Sequence, residues 1–189
     1  MGLFNRTKEE PGQTLPRTDA ERWIAGTYAI WSEYCGGSCQ YLGGYEKNKS
    51  NAKMLKKVLW EDWAVKDHEN GVEMVQYLLD NAGPSEGDQD AADTTAFDYA
   101  CACNLCGRLF IAGIFTREES LRYAAQAARK IQQQYRSWEE YFSSYILGAA
   151  GGGSNISERA PFEEAYQQVQ ASAASPLGLD WNTSLESEG

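Results

Sequence analysis

Apolar residues recur along this chain at spacings of three and four, and almost nowhere at spacings of two. That is the period of a helix with one buried face. Trp23, Ile24, Tyr28, Ile30 and Trp31 trace one such face and predict a helix from Thr18 to about Tyr34. Met54, Leu55, Val58, Leu59 and Trp63 trace a second, opened by Ser50. Val72, Val75, Leu78 and Leu79 trace a third, from Asp67 to about Asn81. From Asp93 or Thr94 to about Gly113 the chain is apolar nearly all round, with Asp98 and Arg108 as its only charges after the start. A helix with no polar face is central in its domain. Leu121, Ala124, Ala128, Ile131 and Tyr135 mark a fifth helix, and Trp138, Tyr141, Phe142, Tyr145 and Ile146 an aromatic sixth. Phe162, Ala165, Tyr166 and Val169 mark the last, from Pro161 to about Ala173. The expected fold is all-α, a single compact multi-helix domain of about seven helices.

Start and stop signals agree with the periodicity. Thr18 with Glu21, Thr116 with Glu119, and Ser137 with Glu140 have the spacing of capping boxes, each worth about 1 kcal/mol. Gly148 and Gly151 to Gly153 end the aromatic helix, and four glycines between Gly36 and Tyr45 predict a loop or broken helix. Pro11, Gly12 and Pro16 mark residues 1–17 as a flexible lead-in, followed by a helical domain over 18–182 and a disordered acidic tail over 183–189. Residues 82–93 read as an exposed acidic connector, and Trp181 as the anchor of the segment after the last helix.

Charge narrows the function classes. The chain of 189 residues carries 17 Lys/Arg and 27 Asp/Glu, a net of −10. Residues 1–60 hold nine Lys/Arg against six Asp/Glu, while 61–189 hold eight against 21. An acidic chain is a poor partner for phosphate backbones, so no nucleic acid is expected. No apolar run reaches the roughly 20 residues of a membrane span, so no membrane is expected either. The first residues show no secretory h-region, and Arg6 breaks the myristoylation pattern. Five cysteines, an odd number, fit reduced thiols in a cytoplasm.

Candidate chemistry is sparse. Lys49, Lys53, Lys56 and Lys57 gather on one helix; they read first as a solvated face and second as a partner surface. Cys35, Cys39, Cys101, Cys103 and Cys106 lack the paired-knuckle spacing of a zinc site, and no metal or cofactor is expected. The acidic connector lacks the order of a calcium loop. His68 is the one histidine, beside a helix start, and reads as incidental. Paired carboxylates at Glu118/Glu119 and Glu139/Glu140 are explained by capping and the helix dipole. Asp98, Asn104 and Arg108 share the apolar helix, and buried polar groups need partners. They are the candidate ligand pocket, although a plain structural role for Asp98 has the greater weight.

The residues just traced resemble a bacterial family known as domain of unknown function 1266. The matching stretches are Trp63 to Asp67, Phe97-Asp98, Ala112-Gly113 with Glu118-Glu119, Ser137 to Tyr141 with Tyr145 and Gly148, and Ser175-Pro176 with Trp181. The likeness runs over roughly residues 20–185, most specifically in the C-terminal half. Ala64 stands where the family usually has Gly, Phe97 where it has Trp, and Cys101 where it has Arg. If relatives pair Asp98 with that Arg, Arg108 or Arg129 is expected to take the role here. The resemblance implies a mostly helical bacterial protein and lends no catalytic residue.

Three functions follow as expectations. The first is a non-catalytic cytoplasmic protein-binding module, of adaptor or antidote type. The second is a small-molecule-binding protein or enzyme with a pocket centred on Asp98. The third is self-association of the basic helix of one copy with the acidic face of another. A deep pocket lined by Asp98, Asn104 and a cysteine would favour the second over the first.

Overall fold

A computed structural model describes residues 12–84, 92–154 and 156–186. Among these residues there are eight α-helices and no strand: α1 (Asp19–Thr27), α2 (Ala29–Tyr34), α3 (Lys49–Trp63), α4 (His68–Asp80), α5 (Thr95–Ala112), α6 (Arg117–Gln134), α7 (Trp138–Gly148) and α8 (Ala160–Ala171). The extra helix arises because the first predicted helix breaks at Tyr28, whose backbone leaves the helical region (φ −114°, ψ 21°). The Tyr28 ring stays buried, and its hydroxyl accepts from the Gly43 N–H at 2.9 Å. The break thus lets one buried side chain satisfy the glycine-rich turn at Leu42–Gly44.

Helix α5 is the axle of the domain, buried on nearly every side as its lack of a polar face requires. It packs against α6 along its length, against α3, α4 and α7, and against the Leu42–Gly44 turn. That turn approaches backbone to backbone. A Cβ on Gly107 would lie 2.4 Å from the Gly43 nitrogen, and Gly43 itself needs φ of +72°. Two glycines are therefore required where the turn crosses the axle.

Helix starts follow the predicted chemistry with instructive differences. Thr116 and Glu119 form the full capping box. At α1 and α7 the hydroxyls of Thr18 and Ser137 cap as expected, but Glu21 and Glu140 accept from the preceding residues, Arg17 and Arg136. The cap of α3 is Asn48, not Ser50, its side chain accepting from the Asn51 N–H at 2.9 Å. That helix ends on Ala64 in the left-handed region (φ 54°), the one non-glycine with positive φ among the described residues. A Cβ is unfavourable in that conformation, so glycine would be held there with less strain than alanine.

The aromatic stripe of α7 is core. Trp138, Tyr141, Phe142 and Tyr145 are buried, and the Tyr141 hydroxyl donates to the Thr27 carbonyl at 2.7 Å. Trp181 reaches back from the C-terminal segment to stack edgewise on Trp23 and Trp138, its indole N–H donating to the Tyr135 carbonyl at 2.9 Å.

Packing extends past the expected boundaries at both ends. Thr14 is fully buried in the lead-in, and Arg117 donates to the carbonyls of Gln13 and Leu15 while pairing with Glu21. At the other end Leu185 is 6% exposed, and its carbonyl accepts from Arg129. Residues 12–17 and 183–186 therefore belong to the packed body. Residues 1–11, 85–91 and 187–189, which hold the rest of the lead-in, connector and tail, lie outside the described residues.

Candidate functional site

One face of α5 borders a cavity. Asp98, Cys101, Asn104, Leu105 and Arg108 succeed one another at three- and four-residue steps and line a cavity of about 640 Å³. Trp31 from α2, Asp62 and Trp63 from the end of α3, Leu78 from α4, Phe97, and Gly152, Ser154 and Ile156 after α7 complete the wall. A volume of this size suits a small organic molecule. The three candidate pocket residues of the sequence are thus brought together. Trp31, Asp62 and Leu78 were not foreseen, because nothing in the local pattern says that the ends of three helices meet over one face of a fourth. Trp31, Trp63 and Leu78 had a signal only as members of apolar faces, and Asp62 had none.

The polar chemistry of this wall is unequal. The Asp98 carboxylate does not pair with Arg108 or Arg129. Its Oδ2 accepts from the Thr94 hydroxyl at 2.7 Å and from the Gly83 N–H at 3.0 Å. The reason is reach: Thr94 sits one turn before Asp98 on the same face, whereas Arg108 lies ten residues on, about 15 Å along the helix axis. Arg129 instead donates to the Leu185 carbonyl. At the other end of the cavity Arg108 is 8% exposed and has no carboxylate within 4 Å among the described residues. Its guanidinium meets only the Cys35 sulfur, at 4.0 Å, and its Nε has no acceptor. Asn104, 4% exposed, likewise leaves Nδ2 without one.

Buried donors are normally paired, and an exception asks for an explanation. Of the six buried side-chain polar atoms without a partner among the described residues, Asn104 Nδ2 and Arg108 Nε belong to this cavity wall. Other depressions of similar size, such as the 620 Å³ hollow between Arg17–Arg22 and Thr183–Glu186, include none of the six. Cys101 also lines the cavity; burial pushes its thiol well up, and the nearby Asp98 adds to the effect. A thiol so held is protonated at neutral pH and is no nucleophile.

The other candidates lie elsewhere. Lys49, Lys53, Lys56 and Lys57 are exposed on the outer face of α3, opposite the buried Leu55 and Leu59, and do not line the cavity. Lys57 makes a surface pair with Glu61 at 3.8 Å. His68 is less incidental than its sequence position implied: its Nε2 lies 3.0 Å from Glu119 Oε1, tying the start of α4 to the capping box of α6. Among the described residues no three His, Cys, Asp or Glu side chains gather as a metal ion would require. No helix among them is long and apolar enough to cross a membrane.

The fold defines an all-helical protein organised around one buried helix, with a polar cavity along that helix. The chain belongs to the DUF1266 family, a protein family of unknown function, whose model matches residues 86–182. That stretch contains all of α5 and the turn after α7, and so Asp98, Asn104 and Arg108. No curated protein and no solved structure matches the chain.

Proposed function

We propose that this protein binds a small molecule in the cavity along α5, and that it acts by binding and not by catalysis. The observation that carries the reading is that Asn104 and Arg108, each with a buried donor (Nδ2 and Nε) lacking a partner among the described residues, both line this cavity. Leaving such groups unpaired costs about 1–3 kcal/mol each, and more for a charge. A chain that folds with that cost recovers it when a ligand supplies the acceptors. Trp31, Trp63 and Phe97 add apolar surface for the body of the molecule. The protonated Cys101 and the hydrogen-bonded Asp98 suit a recognition site better than a nucleophile and its base. A cytoplasmic, bacterial setting is part of the proposal, supported by five free thiols and by the sequence likeness.

The test is a thermal-shift screen of polar metabolite classes on the full chain, followed by tryptophan fluorescence titration, since two cavity-wall residues are Trp. A hit should lose at least about tenfold in affinity in Arg108→Met and in Asn104→Leu. Hits whose affinity ignores both substitutions would place binding elsewhere and sink the proposal.

A second reading, protein binding, is favoured by Trp60, which is 56% exposed on the same outer stripe of α3 as Lys53 and Lys57. An aromatic flanked by lysines suits an acidic partner, and Trp60→Ala would abolish such a complex without touching the cavity.

A further inference from the structure

We infer that the α5 cavity takes an elongated amino-carboxylate: a carboxylate at the Arg108 end, an amine at the Asp98 end and an apolar middle. This rests on the ligand-binding reading of the same cavity and names the class of molecule it admits.

The anionic end follows from donor accounting. A guanidinium carries five N–H donors in a planar fork that matches a carboxylate bidentately. At Arg108 one of them meets a sulfur at 4.0 Å, and Nε meets nothing. Asn104, one helical turn earlier, adds an unpartnered Nδ2. Together these two residues, more than nine-tenths buried, supply donors that the described residues leave unpaired. A singly charged carboxylate fits this better than a phosphate, because the same wall carries Asp62 and Asp98, which repel further negative charge.

The cationic end follows from the acceptors. Asp98 is held by two bonds, both to Oδ2, so its position is fixed, while Oδ1 has no donor among the described residues. Asp62, exposed at the end of α3, is the other acid of the wall. Arg108 is the only base among the described residues of the wall. The two ends are ten residues apart on α5, about 15 Å between α-carbons. Side chains on a helix lean toward its N-terminus, so the long Arg108 side chain brings the charges closer than that. Between them Leu105, Trp63, Leu78 and Phe97 offer apolar surface. Opposite charges at the two ends and an apolar middle are the complement of an ω-amino carboxylate.

The experiment uses the full chain and four probes of one length: 8-aminooctanoate, octanoate, octylamine and 1,8-octanediol, titrated by calorimetry. The amino-carboxylate should bind at least about tenfold tighter than each of the others. Arg108→Met and Asn104→Leu should erase its advantage over octylamine, and Asp98→Asn and Asp62→Asn its advantage over octanoate. Asp62 is exposed, so its variant reads the amine end even where Asp98→Asn disturbs folding. Equal binding of all four probes, or of the amino-carboxylate to wild type and Arg108→Met, would overturn the charge assignment while leaving a cavity that binds. Binding of the diol alone would do the same. No heat and no tryptophan response with any probe would overturn both this inference and the reading it rests on.

Discussion

Replacing Arg108 by methionine should make this protein more stable. The guanidinium is 8% exposed, has no carboxylate within 4 Å among the described residues, and leaves Nε without an acceptor. A buried donor in that state costs about 1–3 kcal/mol, with a charged group at the upper end. Methionine keeps an unbranched apolar stem and removes every donor, so little packing is lost. Among the described residues the only side-chain hydrogen bond given up is the long one to the Cys35 sulfur. The expected gain is about 1–3 kcal/mol. For a chain of this size each kcal/mol moves Tm by about 2–4 °C, which gives a rise of about 2–12 °C. Urea unfolding should show a higher midpoint with unchanged slope, the mark of a stability change in an otherwise identical fold. The same variant should lose ligand affinity, as expected where a site is kept at the expense of stability. A destabilisation of 1 kcal/mol or more (about the size of one hydrogen bond) would refute the reasoning: the guanidinium would then be holding the fold together.

Three further predictions test the frame around the site. Gly107→Ala should destabilise by about 1–3 kcal/mol, because its Cβ would lie 2.4 Å from the Gly43 nitrogen; a gain instead, as helix propensity alone predicts, would show that the turn yields. Ala64→Gly should stabilise by about 0.5–1 kcal/mol, read from urea midpoints, by relieving a side chain at φ 54°. The Glu119 carboxyl is held down to about 2, first by the Thr116 N–H and then by His68. Its contribution is therefore present above its ordinary value of 4.5 and is lost as pH falls from there through about 2. Glu119→Gln should flatten that part of the acid limb of the stability–pH curve, and an unchanged limb would show that the bonds to Thr116 and His68 do not persist in solution.

Much of this architecture was legible before any coordinates, and the reason is local. Helix positions are set by three- and four-residue spacing, and their starts by side chains that reach backbone three residues on. Thr116 with Glu119 needs nothing from the rest of the chain, and neither does the cap of Asp67 on Asn70. The centrality of α5 was equally visible, since a segment with two charges in eighteen residues can only be solvated by other helices. Asp98, Asn104 and Arg108 stood out for the same reason: polar atoms on an apolar helix must be answered by something.

What answers them was decided by tertiary structure alone. Asp98 finds Gly83, fifteen residues away along the chain, so the arginine expected to neutralise it is left over. Whether Arg108 would be paired depends on distances between helices, and sequence spacing says nothing of those. The cavity depends equally on where α2, α3 and α4 lie relative to α5, since Trp63 and Leu78 come from the last turns of their helices and Trp31 from the middle of the short α2. Local physics thus determined the helices and named the polar groups that could not be left alone. Long-range packing settled which of them the protein satisfies itself, the carboxylate at one end, and which have a donor without a partner among the described residues, the guanidinium and amide at the other.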